Sequence, residues 1–212
     1  VLLLSAAIKS NVMVQRLSLG STLLGAEGAK ALAVAALHNT SLKELAGLPI
    51  KGMRDCTLTE LNLCGSGLGQ SQGMLLAALL PSQTTVTGVD VSSNAITEDA
   101  SLALLQAARE HGALASLSMS GCSIDATGLS ELAEFVGSSA SLVKLDVSGM
   151  ALEEAGLHAV AEALLHNASS KLEYLICDSF ALSEDTTRFE LANKELTTST
   201  IELLMGAVKR NR

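Results

Sequence analysis

The apolar positions along this chain repeat. A motif of one apolar residue, two free positions, an apolar residue, one free position and another apolar residue begins at Val14, Leu42, Leu58, Val86, Leu114, Leu142 and Leu172. The intervals are 28, 16, 28, 28, 28 and 30 residues, and four equal spacings are not a chance pattern. Inside each motif the apolar residues alternate with free ones, as in Leu142, Leu145 and Val147, which predicts a short strand with one face inward. Between motifs, stretches such as Leu24 to Leu37 and Leu152 to Leu165 carry apolar residues at helical spacing, with alanines that permit close helix packing. Each unit therefore predicts strand, turn and helix. Stacking the units predicts an α/β fold with one parallel sheet of seven or eight strands, roughly 30–35 Å long at about 4.8 Å per strand.

Two units are short. The interval from Leu42 to Leu58 is too brief for a strand, a full helix and both turns, so residues 42–57 predict a strand and a helix-free crossover, with Pro49 and Gly52 as breakers. A second short unit, near 172–186, runs from Leu172 through Leu182 to a new strand at Phe189-Glu190-Leu191. A lost helix is either a plain deletion or an opening for a groove on the helix side. Val1 to Asn11 and Gly206 to Arg212 both read as helix tails, and neither end carries a polar cap. The expectation is a single repeat domain over 1–212 that forms an internal portion of a longer chain.

Composition narrows the function. Aromatics are 2% of the chain, so the core is built of Leu, Ala, Val and Ile in small regular units. A net charge of -8 argues against nucleic acid, which requires clustered Lys and Arg. No apolar run approaches the roughly 20 residues of a membrane span. The four cysteines, Cys56, Cys64, Cys122 and Cys177, form no CxxC pair and are too sparse for a disulfide framework, so they read as reduced thiols in an intracellular protein.

Candidate chemistry is thin. His38 and His166 each precede an asparagine and read as surface residues at helix C-termini. His111 lies near a helix end, and His158 lies in mid-helix with no acidic or cysteine partner at ligand spacing. Cys64, Cys122 and Cys177 fit small buried positions, while Cys56 falls in the irregular crossover. No glycine-rich phosphate cradle is followed by Lys-Ser/Thr. The expectation is no catalytic residue, no cofactor and no metal.

What remains is the strand face. Its free positions include Arg16, Lys43, Glu44, Glu60, Asn62, Thr87, Asp90, Ser116, Ser118, Lys144, Asp146, Glu173, Tyr174, Ile176, Arg188 and Glu190, a mixed and mildly acidic ladder. Tyr174 is its only aromatic member. The segment Tyr174, Ile176, Asp178 and Phe180 is therefore the candidate binding hot spot, with Glu60, Asn62, Asp90, Asp146 and Glu173 beside it.

The strand pieces Leu17-Ser-Leu19, Leu61-Asn-Leu63, Val89-Asp-Val91, Leu117-Ser-Met119 and Leu145-Asp-Val147, with Gly-x-x-Leu-x-x-x-Ala-type helices between them, resemble the ribonuclease-inhibitor-like class of leucine-rich repeats. This class also occurs in the sensor regions of NOD-like receptors and in the Ran GTPase-activating protein. The resemblance implies a horseshoe-shaped solenoid with the sheet on its concave face and helices on its convex face. It also implies an Asn or Cys closing the turn after each strand, a place held here by Asn94 and Cys122 but also by Thr22, Ser66, Met150, Phe180 and Lys194. The implied function is a non-catalytic protein-binding or scaffold module in a larger intracellular protein or assembly. A NOD-like sensing region and a GTPase regulator like that of Ran stand as alternatives.

Overall fold

In a computed structural model, which describes residues 1–20, 22–183 and 197–210, strands and helices alternate as the 28-residue interval requires. The strands are β1 (Arg16–Leu17), β2 (Glu44–Leu45), β3 (Glu60–Asn62), β4 (Gly88–Asp90), β5 (Ser116–Ser118), β6 (Lys144–Asp146), β7 (Tyr174–Ile176) and β8 (Ala181–Leu182). The helices are α1 (Leu2–Ser10), α2 (Ala26–His38), α3 (Ile50–Arg54), α4 (Gln70–Leu79), α5 (Glu98–His111), α6 (Ala126–Ser138), α7 (Glu154–His166) and α8 (Thr198–Arg210). The fold is mixed α/β with a mainly parallel sheet. Pairing follows the sequence spacing residue for residue: Leu61 faces Val89, Val89 faces Leu117, Leu117 faces Leu145, and Leu145 faces Leu175.

This middle row is fully buried, and so is the next inward row of Leu63, Val91, Met119, Val147 and Cys177. Both rows meet the inner faces of the helices in one continuous apolar cluster that extends from Ile8 to Leu203. The helices pack as successive neighbours, α1 on α2, α4 on α5, α5 on α6, α6 on α7 and α7 on α8.

The single sheet expected from the sequence is in fact two, β1–β2 and β3 to β8. The reason lies in the hydrogen bonds at the short unit. In a regular unit the Thr87 carbonyl accepts from the Ala115 and Ser116 amides of the next strand. At the equivalent Lys43 the carbonyl accepts instead from the amide of Lys51 at 3.0 Å, and Leu45 exchanges two backbone bonds with Leu48. The chain reverses between them through Ala46 and Gly47, both at positive φ (53° and 86°), the pairing of signs that a tight two-residue hairpin needs. The outer edge of β2 is thus satisfied by its own following residues, and β3 starts afresh.

The crossover is not helix-free, which corrects the sequence expectation. Pro49 sits at the N-cap of the five-residue α3, where its missing amide proton costs nothing, and Gly52 lies inside that helix. The groove alternative also fails here: α2 packs directly against α4, so the helix layer closes over the short unit. Ser71 Oγ on α4 accepts from the Leu24 amide at 3.0 Å and donates to the Thr22 carbonyl, stitching the same junction.

The second short unit ends the parallel run differently. β8 turns back antiparallel on β7, with Leu175 opposite Leu182 and Ile176 opposite Ala181. The expected strand at Phe189–Leu191, the face positions Arg188 and Glu190, the turn position Lys194 and the tail Asn211-Arg212 lie outside the described residues.

Two sets of buried side chains fix the turns. After the strands, Asn94 Nδ2 donates to the carbonyls of Leu63, Val91 and Ser92 while its Oδ1 accepts from the Leu68 amide. Cys122 Sγ donates to the Val91 carbonyl at 3.6 Å, and Met150 and Phe180 fill the same place with apolar bulk. The second set, at the helix C-caps, was not anticipated. Asn39 Nδ2 donates to the carbonyls of Ile8 (2.5 Å) and Asn11 (2.6 Å), and its Oδ1 accepts from the amides of Ser41 and Leu42. Asn167 repeats this toward Val136 and Ser139, and His111 Nε2 reaches the Gln83 carbonyl at the same step of the repeat.

Candidate functional site

The face of the sheet turned away from the helices bears two rows of side chains that do not belong to the core. One runs Glu60, Gly88, Ser116, Lys144 and Tyr174; the other runs Asn62, Asp90, Ser118, Asp146 and Ile176. Neighbours within a row stand about 4.8 Å apart. The pairing therefore brings seven of the nine sequence candidates onto or beside one surface: Glu60, Asn62, Asp90, Asp146, Glu173, Tyr174 and Ile176. Glu60, Asn62 and Glu173 are exposed, and the other four are half-buried. Asp178 is exposed one turn further on, where its Oδ1 accepts from the Gly149 amide at 2.5 Å.

Phe180 does not join them. It is 7% exposed and belongs to the apolar cluster, in the place that Met150 occupies one unit earlier. An aromatic residue there fills the turn's interior, so its placement in a surface hot spot is corrected.

The strand-end residues have a structural duty besides any surface role. Asp90 Oδ1 accepts from the Ser92 amide (2.9 Å) and hydroxyl (2.6 Å), and Asp146 Oδ1 accepts likewise from Ser148 at 3.1 and 2.7 Å. Asn62 Oδ1 accepts from the Cys64 amide at 3.3 Å. Short side chains with an acceptor are favoured there because they close the turn that follows each strand. The hydroxyls of Ser120 and Ser148 lie 2.9 Å apart, extending this polar stripe. For each aspartate only Oδ1 is so occupied, and among the described residues Oδ2 has no hydrogen-bond partner.

Gly88 is a site residue that sequence reasoning missed. A Cβ built there would fall 1.7 Å from Glu60 Oε2, so the Glu60 carboxylate lies directly over the β4 backbone. The signal was present, because Gly88 is the one residue without a side chain in its row.

Charge differs between the sheets. Among the described residues, the six-stranded face bears Glu60, Asp90, Asp146, Glu173 and Asp178 against Lys144. The β1–β2 face bears Arg16, Lys43 and Glu44, with Arg16 Nε 3.5 Å from Glu44 Oε2. Among the described residues, Glu60, Asp90, Asp146 and Glu173 have no ion-pair partner.

The remaining candidates are structural. Burial pushes the Cys122 thiol up to about 11, with the nearby Asp90 charge adding to it, so it stays protonated in its turn. Cys64, expected to be buried, is exposed, as is Cys56. His38 and His166 are exposed and each donates from Nδ1 to a carbonyl one helical turn back, at 2.7 Å. His158 does have acidic partners: Glu202 Oε2, from α8, is 2.6 Å from Nδ1, and Glu162 is 4.0 Å from Nε2. Among the described residues no three His, Cys, Asp or Glu side chains are grouped to hold a metal ion, and no helix is long and apolar enough to cross a membrane.

No protein-family model matches the chain, and no curated protein matches it by sequence. Among solved structures, it is similar to the tropomodulin C-terminal domain of Caenorhabditis elegans at 14% sequence identity, with 77% of this chain and 90% of that chain covered and a TM-score of 0.44.

Proposed function

We propose that the chain is a leucine-rich-repeat solenoid of the ribonuclease-inhibitor-like class that serves as a non-catalytic protein-binding module, with the exposed face of β3 to β7 as its contact surface. The observation that carries this reading is the register. Parallel pairing at steps of 28 and then 30 residues turns isolated strand residues into two continuous rows on a face that no other layer of the described residues covers. The exposed Glu60, Asn62 and Glu173 are released from core packing and open to recognition. Tyr174 and Ile176, adjacent at one end of the rows, supply apolar contact area of the kind that anchors interfaces. Four cysteines without disulfides support an intracellular setting.

The test is affinity purification from the source organism with the full-length protein as bait, beside Tyr174→Ala/Ile176→Ala and a helix-face control, Glu154→Gln. The expected outcome is a protein partner recovered with the parent and the control and lost with the double variant. Equal recovery with all three would refute the assignment of this face.

A further inference from the structure

The helix layer ends in two apolar faces, one on α1 and one on α8. On α1, Leu3 is 89% exposed, and Leu4, Ala7 and the following Val14 are exposed with it. Their counterparts 28 residues on tell what such a face is for: Leu32, Ala35 and Leu42, in the unit that α1 covers, are buried. Asn11 shows the same unfinished junction in polar form. Its Oδ1 accepts from the Met13 and Val14 amides at 2.9 and 2.7 Å, as Asn39 Oδ1 does from Ser41 and Leu42. Asn39 Nδ2 also donates to two carbonyls at the end of the preceding helix, whereas Asn11 Nδ2 has no acceptor among the described residues. At the other end α8 runs parallel to α7, with Glu202 against His158 and Gly206 against Ala161, Leu164 and Leu165. Ala161 and Leu164 are buried there, while Met205 (62% exposed) and Val208, in the same places one helix later, lie open beside Ile201. Spaced four and three residues apart, these three form one stripe along α8.

We infer that the two faces dock on each other between copies of this chain, α8 of one copy lying parallel to α1 of the next, with Ile201, Met205 and Val208 against Leu3, Leu4 and Ala7. Direction favours this pairing. Asn11 stands at the C-terminal end of α1, and a parallel α8 brings helix C-terminal carbonyls, which lack intrahelical partners, to its amide. A second α1 laid antiparallel across a two-fold axis would bring its N-terminus instead. Strand pairing is not required for such a contact, because α2 packs on α4 although β2 and β3 are unpaired. The two faces differ, so each copy keeps one free face at either end and the association propagates rather than closing at a dimer.

The test is sedimentation velocity of the 212-residue chain over a range of concentrations, beside Leu3→Glu and Met205→Glu. Both residues are exposed in the single chain, so a glutamate at either place leaves its fold intact while charging one face. The parent is expected to grow beyond a dimer as concentration rises, and each variant alone to stay monomeric. An equimolar mixture of the two variants should form a dimer and nothing larger, since it contains one intact α8 face and one intact α1 face. Asn11→Asp, which keeps the Oδ1 acceptor and removes the donor, should weaken association about fivefold, the value of one hydrogen bond. The inference is overturned by a parent that stays monomeric, by a Met205→Glu variant that still dimerises through α1, by a mixture that yields no dimer, or by an Asn11→Asp variant that associates as the parent does.

Discussion

β2 and β7 are both parallel strands whose outer edge is closed by the residues that follow them, but they close in different ways. After β2 the chain makes one two-residue reversal, pairs Leu45 with Leu48 and enters α3; the next strand, β3, shares no pairing with β2. After β7 it reverses and runs a further strand, β8, antiparallel within the same sheet. In both places the helix layer continues, through α2 on α4 and through α7 on α8. The comparison teaches that the repeat is held by two separable devices. Helix packing tolerates a shortened unit, whereas strand pairing stops wherever a local backbone partner satisfies the edge first.

The sharpest way to break this separation is to remove one turn-holding asparagine on each side of the sheet break. Asn39, 3% exposed, satisfies two carbonyls of the first unit and two amides of its own turn, and Asn94 does comparable work within the six-stranded sheet. Alanine at either position leaves several buried backbone groups unpaired, at about 3 kcal/mol. The loss should differ in location. Asn39→Ala is expected to raise hydrogen exchange through α1 and β1 while β3 to β7 stay protected, and Asn94→Ala should open the six-stranded sheet. Uniform opening in both variants would show that the sheets unfold as one and that the break is only a matter of local hydrogen bonds.

Much of this comparison was legible in the sequence, and the illegible part has a physical cause. The 28-residue interval gave the register of β3 to β6 correctly, because a one-residue slip would turn every apolar row outward. The same interval located both short units. It could not show how their edges are satisfied, since that depends on a backbone reversal at Ala46 and Gly47 and on a carbonyl at Lys43 that has no side-chain signature. The cap asparagines were visible as the pairs His38-Asn39 and His166-Asn167, but the adjacent histidine drew the reading toward the surface, and burial of the asparagine became evident only in three dimensions. Phe180 was misplaced for a similar reason: an aromatic near a polar strand face suggests a contact, while its equivalence to Met150 points inward. For the candidate site, the residues of the rows were legible, but the lean of Glu60 over Gly88 was not.

A smaller effect is expected from Arg54, the last residue of α3. Its guanidinium donates to the carbonyls of Asn39 and Leu42, bonds that tie α3 back to the end of α2 and the entry to β2. The side chain is 17% exposed, so these charge-assisted bonds are partly shielded from water. Arg54→Ala should cost about 2 kcal/mol, seen as a melting temperature lower by roughly 4–8 °C. Arg54→Lys should recover only part of it, since both bonds leave one guanidinium nitrogen that the shorter, more flexible lysine must reach with a greater loss of freedom. A full recovery with lysine would mean that one cationic nitrogen at this place is enough to anchor the short unit.

The smallest effect distinguishes the second closure, where α8 resumes the helix layer beside α7. His158 on α7 donates to Glu202 on α8, and this bond, with the Glu202 charge and the more distant Glu162, raises the imidazole above its ordinary value. A raised folded value means that the contribution is complete below the unfolded value of about 6.5 and is lost as pH climbs through the raised one. Both partners are well exposed, so the contribution is modest, and α8 is also held by Leu203 in the apolar cluster. Hydrogen exchange in α8 should therefore rise slightly across that window while α4, which continues the layer at the first closure without any titrating partner on α2, shows no such change. His158→Gln should leave α8 at the high-pH level throughout. If α8 exchange is flat with pH in the parent, its attachment is apolar alone, and the two closures differ only in how their strands end.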